Sequence, residues 1–159
     1  MGSPRFYAAQ EGHPLPLLAP IDATGGKASK AFNFSKYTHA SILVAIGISA
    51  AAPTAILVEA CTAQDGSGTN TAIPFTYFAC EAADTDVLGA KQTATSAGIT
   101  PSANDDIFYQ IEIDSIELPA GSSYLRVHIT NGANSCLAAV VAFLSGARYA
   151  QDQSPTVLA

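Results

Sequence analysis

Two stretches of this chain, DIFYQIEIDS (106–115) and SYLRVHIT (123–130), alternate apolar and polar residues with a period of two. Only an extended backbone puts successive side chains on opposite faces, so each stretch reads as a strand with one dry face and one wet face. In the first, Ile107, Tyr109, Ile111 and Ile113 oppose Phe108, Gln110, Glu112 and Asp114; in the second, Leu125, Val127 and Ile129 oppose Arg126 and His128. A half-apolar strand has to bury its dry face against another layer. Further strand-like runs are KYTHASILVAIGIS (36–49, partly alternating), AILVEACT (55–62), AIPFTYFACE (72–81), KQTATSAGIT (91–100, the weakest) and CLAAVVAFLS (136–145). Within 72–81, Ile73, Phe75, Tyr77 and Ala79 fall on one face. The tract AQDGSGTNT (63–71) is rich in residues that tolerate turn dihedrals. About eight short strands separated by such signals predict a single all-β domain, a sandwich or a barrel. The one helical candidate is a turn within EAADTDVLGAKQ (81–92).

The segment SCLAAVVAFLSGARY (135–149) departs from the alternation, because Cys136 to Leu144 contains no polar side chain. Leu137 to Leu144 falls far short of the roughly 20 residues that a membrane-spanning helix needs. Val140, Val141 and Phe143 favour a strand, while Leu and Ala leave a helix as the alternative. A strand apolar on both sides is either interior to a packed sheet or covered on its outer side by another subunit. Ser145-Gly146 is then the point where the chain is expected to leave the sheet.

Residues 1–31 have a different character. Pro4, Pro14, Pro16 and Pro20 punctuate a stretch that ends in ATGGKASKA. Proline fixes its own backbone and drives the preceding residue toward extended geometry. This reads as an extended N-terminal arm, either a strap across its own domain or an arm lying on a neighbouring subunit through Leu15, Leu17 and Leu18. The β-domain is expected over 32–150, with a polar tail over 151–159. At 159 residues the chain is long enough to bury a core without staples. Its 48% hydrophobic content excludes a disordered chain. Charged residues make up only 13%, about half the usual share, which suits a surface largely covered by neighbours. The net charge of -6 argues against nucleic-acid binding, which needs Lys and Arg to neutralise phosphates.

The three cysteines, Cys61, Cys80 and Cys136, form no CxxC pair. They read as reduced core residues in a cytoplasmic protein, with a Cys61–Cys80 bridge as the alternative. The N-terminus lacks the basic start and continuous apolar stretch of a signal peptide, and a soluble protein is expected.

No catalytic constellation emerges. A zinc site would require His39, His128 and a cysteine from distant segments to converge, against the usual close ligand pair. Asp84-Thr-Asp86 and Asp105-Asp106 read as turns, and DGSGTN (65–70) lacks the offsets of a calcium loop. That tract also lacks the lysine and following helix of a phosphate loop, and no GxSxG elbow is present. Asn33-Phe-Ser35 would accept a glycan only in a secreted protein. Function is therefore expected in surfaces and not in a pocket.

The order and texture of the segments, notably AGSSYLRV (120–127) and LSGARY (144–149), resemble small virion proteins of tailed bacteriophages. Among these are capsid decoration, or cement, proteins with jelly-roll-like folds, and the resemblance covers residues 32–155. It implies a jelly-roll-like β-sandwich that assembles as a homotrimer on the outside of the shell. There it would bridge copies of the major capsid protein, with no enzymatic activity, cofactor, metal, nucleic-acid partner or membrane. Such a protein is made in the host cytoplasm and resides on the virion exterior. Phe6, Tyr7, Leu15, Leu17 and Leu18 of the arm are the expected contacts with a neighbouring subunit, with Arg148 and Tyr149 as a second pair. A minor tail or head–tail joining protein and a lectin-like ligand-binding jelly roll are the alternatives.

Overall fold

Alternation becomes strand almost wherever it occurs. The computed structural model describes residues 12–83 and 85–148. Among them are eleven strands: β1 (His13–Asp22), β2 (Lys27–Ala28), β3 (Phe32–Asn33), β4 (Tyr37–Ser49), β5 (Ala55–Cys61), β6 (Asn70–Ala72), β7 (Phe75–Cys80), β8 (Gln92–Ala94), β9 (Ile107–Asp114), β10 (Tyr124–Thr130) and β11 (Cys136–Ala147). A single 3-10 turn, Ser115–Glu117, interrupts them. The excess over the expected eight comes from β1, which lies in the arm, and from pieces of two or three residues at the sheet margins.

The strands form two antiparallel sheets. The six-stranded sheet has the order β1-β11-β4-β9-β7-β8, and the five-stranded sheet runs β2-β10-β5-β6 with β3 also pairing β10. Their inward residues join in one hydrophobic cluster. From the first sheet come Ile42, Val44 and Ile46 of β4, Ile107, Tyr109, Ile111 and Ile113 of β9, and Val140 and Leu144 of β11; from the second come Ile56, Val58, Leu125, Val127 and Ile129. All are at most 2% exposed, as the period-two reading of β9 and β10 requires. Each such side chain contributes about 1.5–3 kcal/mol by leaving water.

β1 revises the expectation for the arm. His13–Asp22 pairs with β11 at the edge of the six-stranded sheet, so this part of the arm is a strap built into its own domain. Leu15 (3% exposed) and Leu17 (1%) lie in the core, and Leu18 packs against it. Prolines are tolerated because an edge strand has one unpaired side. Pro14, Pro16 and Pro20 are exposed, and two bulges, between Pro16 and Leu18 and between Leu18 and Ile21, re-phase the strand.

β11 is the interior strand that its apolar run suggested, flanked by β1 and β4; no helix forms there. It does not end at Ser145-Gly146. Gly146 takes a left-handed φ of 63° and Thr38 Oγ1 donates to its carbonyl, so pairing continues to Ala147 opposite Tyr37. No helix forms among the described residues of 81–92, where Ala83 lies in a turn. All three cysteines are free and buried; Cys80 sits at the end of β7 and Cys61 at the end of β5 in the other sheet. No helix among the described residues is long and apolar enough to cross a membrane.

Candidate functional site

The register of the six-stranded sheet lays its outward side chains in rows. Phe108, Ala45 and Ala139 form one row across β9, β4 and β11. The next row is Phe78, Gln110, Leu43, Val141 and Pro16, spanning β7 to β1. Thr76, Glu112, Ser41, Phe143 and Pro14 follow, and then Asp114, His39 and Ser145. The first two rows are nearly free of polar atoms. Leu43 is 40% exposed and both Leu137 and Val141 are 46% exposed, although their inward neighbours Ile42, Val44, Ala138 and Val140 are sealed in the core. A shallow depression between β4 and β9 is lined by Leu43, Ala45, Gly47, Asp106, Phe108 and Gln110. A second, between β4 and β11, is lined by Pro20, Ala45, Gly47, Leu137 and Ala139. Contiguous exposed apolar surface rimmed by polar residues is characteristic of protein, membrane or ligand contact sites.

The rim is acidic. At one end Asp105 accepts the Ser49 N–H at 2.8 Å, and Asp106 holds a left-handed φ of 54° at the entry to β9. Asp22 lies beside Leu137 and accepts from the Thr24 hydroxyl (2.7 Å), the Cys136 N–H (3.1 Å) and the Ser135 hydroxyl (2.8 Å). These donors, Thr24 foremost, hold its carboxyl well below the usual carboxylate range, so it stays ionised.

At the other end His39 sits between two carboxylates. Its Nδ1 donates to Asp114 Oδ1 and its Nε2 to Glu112 Oε2, both at 2.8 Å. An ionised carboxylate only accepts, so two such partners call for the doubly protonated imidazolium. Burial would lower the imidazole pKa, but the hydrogen bonds and charges of Asp114 and Glu112 reverse that and raise it above its ordinary value. Glu112 also receives the Ser41 hydroxyl and the Gln110 amide, both at 3.0 Å, which fixes it at the border of the apolar rows.

The outer face of the five-stranded sheet differs in kind. Glu59 accepts from Arg126 Nε at 2.6 Å, and His128 Nδ1 lies 3.2 Å from its other oxygen. His39 and His128 thus stand on different sheets, each engaged with carboxylates, and do not converge on a cysteine. Asp65 accepts the N–H and hydroxyl of Ser67 in a tight turn, and Asn33 does the same for Ser35, so these sequence features are local turn closures.

Among the residues expected to make contacts, Leu15 and Leu17 are unavailable, since the domain's own core holds them. Leu18 is half-buried beside that core. Arg148 is exposed and donates to Ser115 Oγ at 2.7 Å, while its N–H bonds the Lys36 carbonyl. Phe6, Tyr7 and Tyr149 lie outside the described residues, as does Asp84. Sequence reasoning missed Leu43, Phe108 and the His39 pair of contacts. The signal was present in part: Leu137, Val141 and Phe143 are the outward phase of the double-sided apolar run.

No family model matches the chain, and no curated protein matches it. Among solved structures the chain is similar to one described as the crystal structure of SPBc2 prophage-derived protein YomS, with 15% identity and a TM-score of 0.47, over 84% of this chain and 93% of that one. A likeness at that score assigns the chain neither a family nor a role.

Proposed function

We infer that this protein is a non-enzymatic structural component of a phage virion, a decoration protein that binds the outside of the major capsid protein shell and stabilises it, as a homotrimer. The observation that carries the reading is the outward apolar strip on β4 and β11. It lies on a sheet whose inward face is packed in the core, and two-fifths or more of each of Leu43, Leu137 and Val141 stays in water, which suits a contact with another protein. The strand order supports a jelly-roll-like sandwich. The first strand neighbours the last in one sheet, and β2 neighbours the penultimate β10 in the other. The resemblance of the segments to small tailed-phage virion proteins supplies the choice of partner. The low share of charged residues, 13%, suits extensive neutral contacts.

The test is to add the purified protein to shells assembled without it. It is expected to bind around the whole shell and raise the temperature at which the particles break. Absence of binding at micromolar concentration sinks the reading, and binding confined to one vertex moves it to a head–tail joining protein.

A further inference from the structure

We propose that the notch between the 3-10 turn and the end of β11 is a carboxylate-binding site, and that it takes the side chain of a glutamate or aspartate from a partner protein. Two segments that stand out in the sequence, AGSSYLRV (120–127) and LSGARY (144–149), meet there: the first supplies Ser122 and Ser123, the second Arg148. The site stands whether or not the partner is the shell.

Arg148 is held at both ends. Its N–H bonds the Lys36 carbonyl at 2.9 Å, just past the last paired residues, Ala147 and Tyr37, and its Nη2 donates to Ser115 Oγ at 2.7 Å. A guanidinium has several N–H donors in one plane, and the others have no partner among the described residues. Ser115 receives that bond and keeps its own O–H to give, and the hydroxyls of Ser122 and Ser123 have no partner among the described residues. Ser35 also lines the notch, but its hydroxyl is taken by Asn33. One cation and three hydroxyl donors therefore border a space of about 160 Å³.

No carboxylate lines this space. Glu117, on the same short turn as Ser115, gives its carboxylate to the Asp114 N–H at 2.7 Å and lines the separate depression beside His39 and Lys91. Of the two described arginines, Arg126 is neutralised by Glu59 at 2.6 Å, whereas Arg148 has no such partner among the described residues. In a chain of net charge -6, an arginine kept clear of the chain's own acids is free to meet an anion from outside.

Size and lining select the ligand. The notch holds a few times a water's share of about 30 Å³ and falls well below the roughly 300–1,000 Å³ of a small-molecule pocket. It takes one group projecting from a larger body. Leu118, half-buried, gives the wall an apolar strip on which an aliphatic stem can lie. A planar carboxylate matches the guanidinium fork, with hydroxyls to fill its other lone pairs.

The test is an NMR titration of the full, nitrogen-15-labelled chain at constant ionic strength. The probes are glutamate capped at both backbone ends, free glutarate, inorganic phosphate, and sodium chloride as the reference salt. Capped glutamate is expected to shift the signals of Ser115, Ser122, Ser123 and Arg148 along a saturating curve in the millimolar range, on the order of what a few charge-assisted bonds give at an open site. Arg148→Gln should weaken this binding tenfold or more, and Ser122→Ala by about threefold. Lys91→Gln removes the same charge from the other depression and should bind as wild type. Thermal unfolding confirms that each variant is folded. No saturable shift at these residues overturns the site. Equal weakening by Lys91→Gln and Arg148→Gln reduces the effect to net charge and overturns it too. Phosphate binding as tightly as capped glutamate overturns the carboxylate, and glutarate binding more tightly overturns the protein partner in favour of a free acid. No shell enters the measurement, so none of these outcomes bears on the reading above.

Discussion

The two outer faces of the molecule solve the same problem in opposite ways. On the five-stranded sheet the outward residues Glu59, Arg126 and His128 compensate one another, and Glu59, 9% exposed, is stable under partial cover because both its oxygens have partners. On the six-stranded sheet the polar groups, His39 with Glu112 and Asp114, are pushed to one end. The middle is left to Leu43, Ala45, Ala139 and Val141, which touch across the strands but keep 40% of Leu43 and 46% of Val141 in water among the described residues. A face that satisfies itself has no need of a neighbour, whereas one that leaves branched aliphatics in water gains free energy from any apolar cover. The contrast is between a polar face closed on itself and a face with aliphatic side chains left in water.

The shared interior sets the scale for testing this contrast. Leu17→Ala removes a fully buried side chain from β1 and is expected to destabilise the protein by about 3 kcal/mol, read by denaturant unfolding. A loss below about 0.5 kcal/mol would mean that β1 is an appendage after all. Next in size is the self-satisfied face. Glu59→Ala strips the partner from Arg126, whose side chain is only 17% exposed, and a loss of about 2 kcal/mol is expected for a partly buried charge left unpaired. Stability unchanged by this substitution would erase the distinction between the faces.

A smaller effect belongs to the polar end of the apolar face. Because the folded-state pKa of His39 is raised above its unfolded value, its contribution is fully present below the ordinary histidine pKa and is lost as pH rises through the raised one. The stability difference between wild type and His39→Gln should therefore shrink from acidic toward alkaline pH. A difference independent of pH would show that the imidazolium is not held by Glu112 and Asp114. The smallest effect is expected at the centre of the proposed contact. Val141→Ser should change stability by less than about 0.5 kcal/mol, since the side chain is 46% exposed and touches only its outward neighbours. Thermal unfolding that reports a loss several times larger would make Val141 a packing residue and not a contact.

Much of this architecture was legible in the residues. β9 and β10 were readable down to which side chain faces in, because a one-residue slip would have moved Ile107 or Val127 to the wet face. The arm was less so. Its prolines argue for extended chain, yet only the position at a sheet edge, a tertiary fact, explains why Pro14 and Pro16 coexist with buried Leu15 and Leu17. The candidate surface was the least legible part. In KYTHASILVAIGIS, Ile42 and Leu43 look alike; which one is exposed depends on the layer that the strand meets. The pairing of His39 with Glu112 and Asp114, more than seventy positions away, follows from the β4–β9 register and could not be read from spacing.

The insertion of β11 between β1 and β4 has a consequence for synthesis. β1 and β4 do not pair with each other; the strand that joins them is the last of the described residues to be made. While residues 136–147 are still inside the ribosome, Leu15 and Leu17 have no sheet to join and β4 has an open, hydrogen-bonding edge. Closure waits on contacts between positions 87 to 131 residues apart, which makes for slow folding. A nascent chain stalled before Cys136 is accordingly expected to be protease-sensitive over residues 13–22, and one released past Ala147 to be resistant.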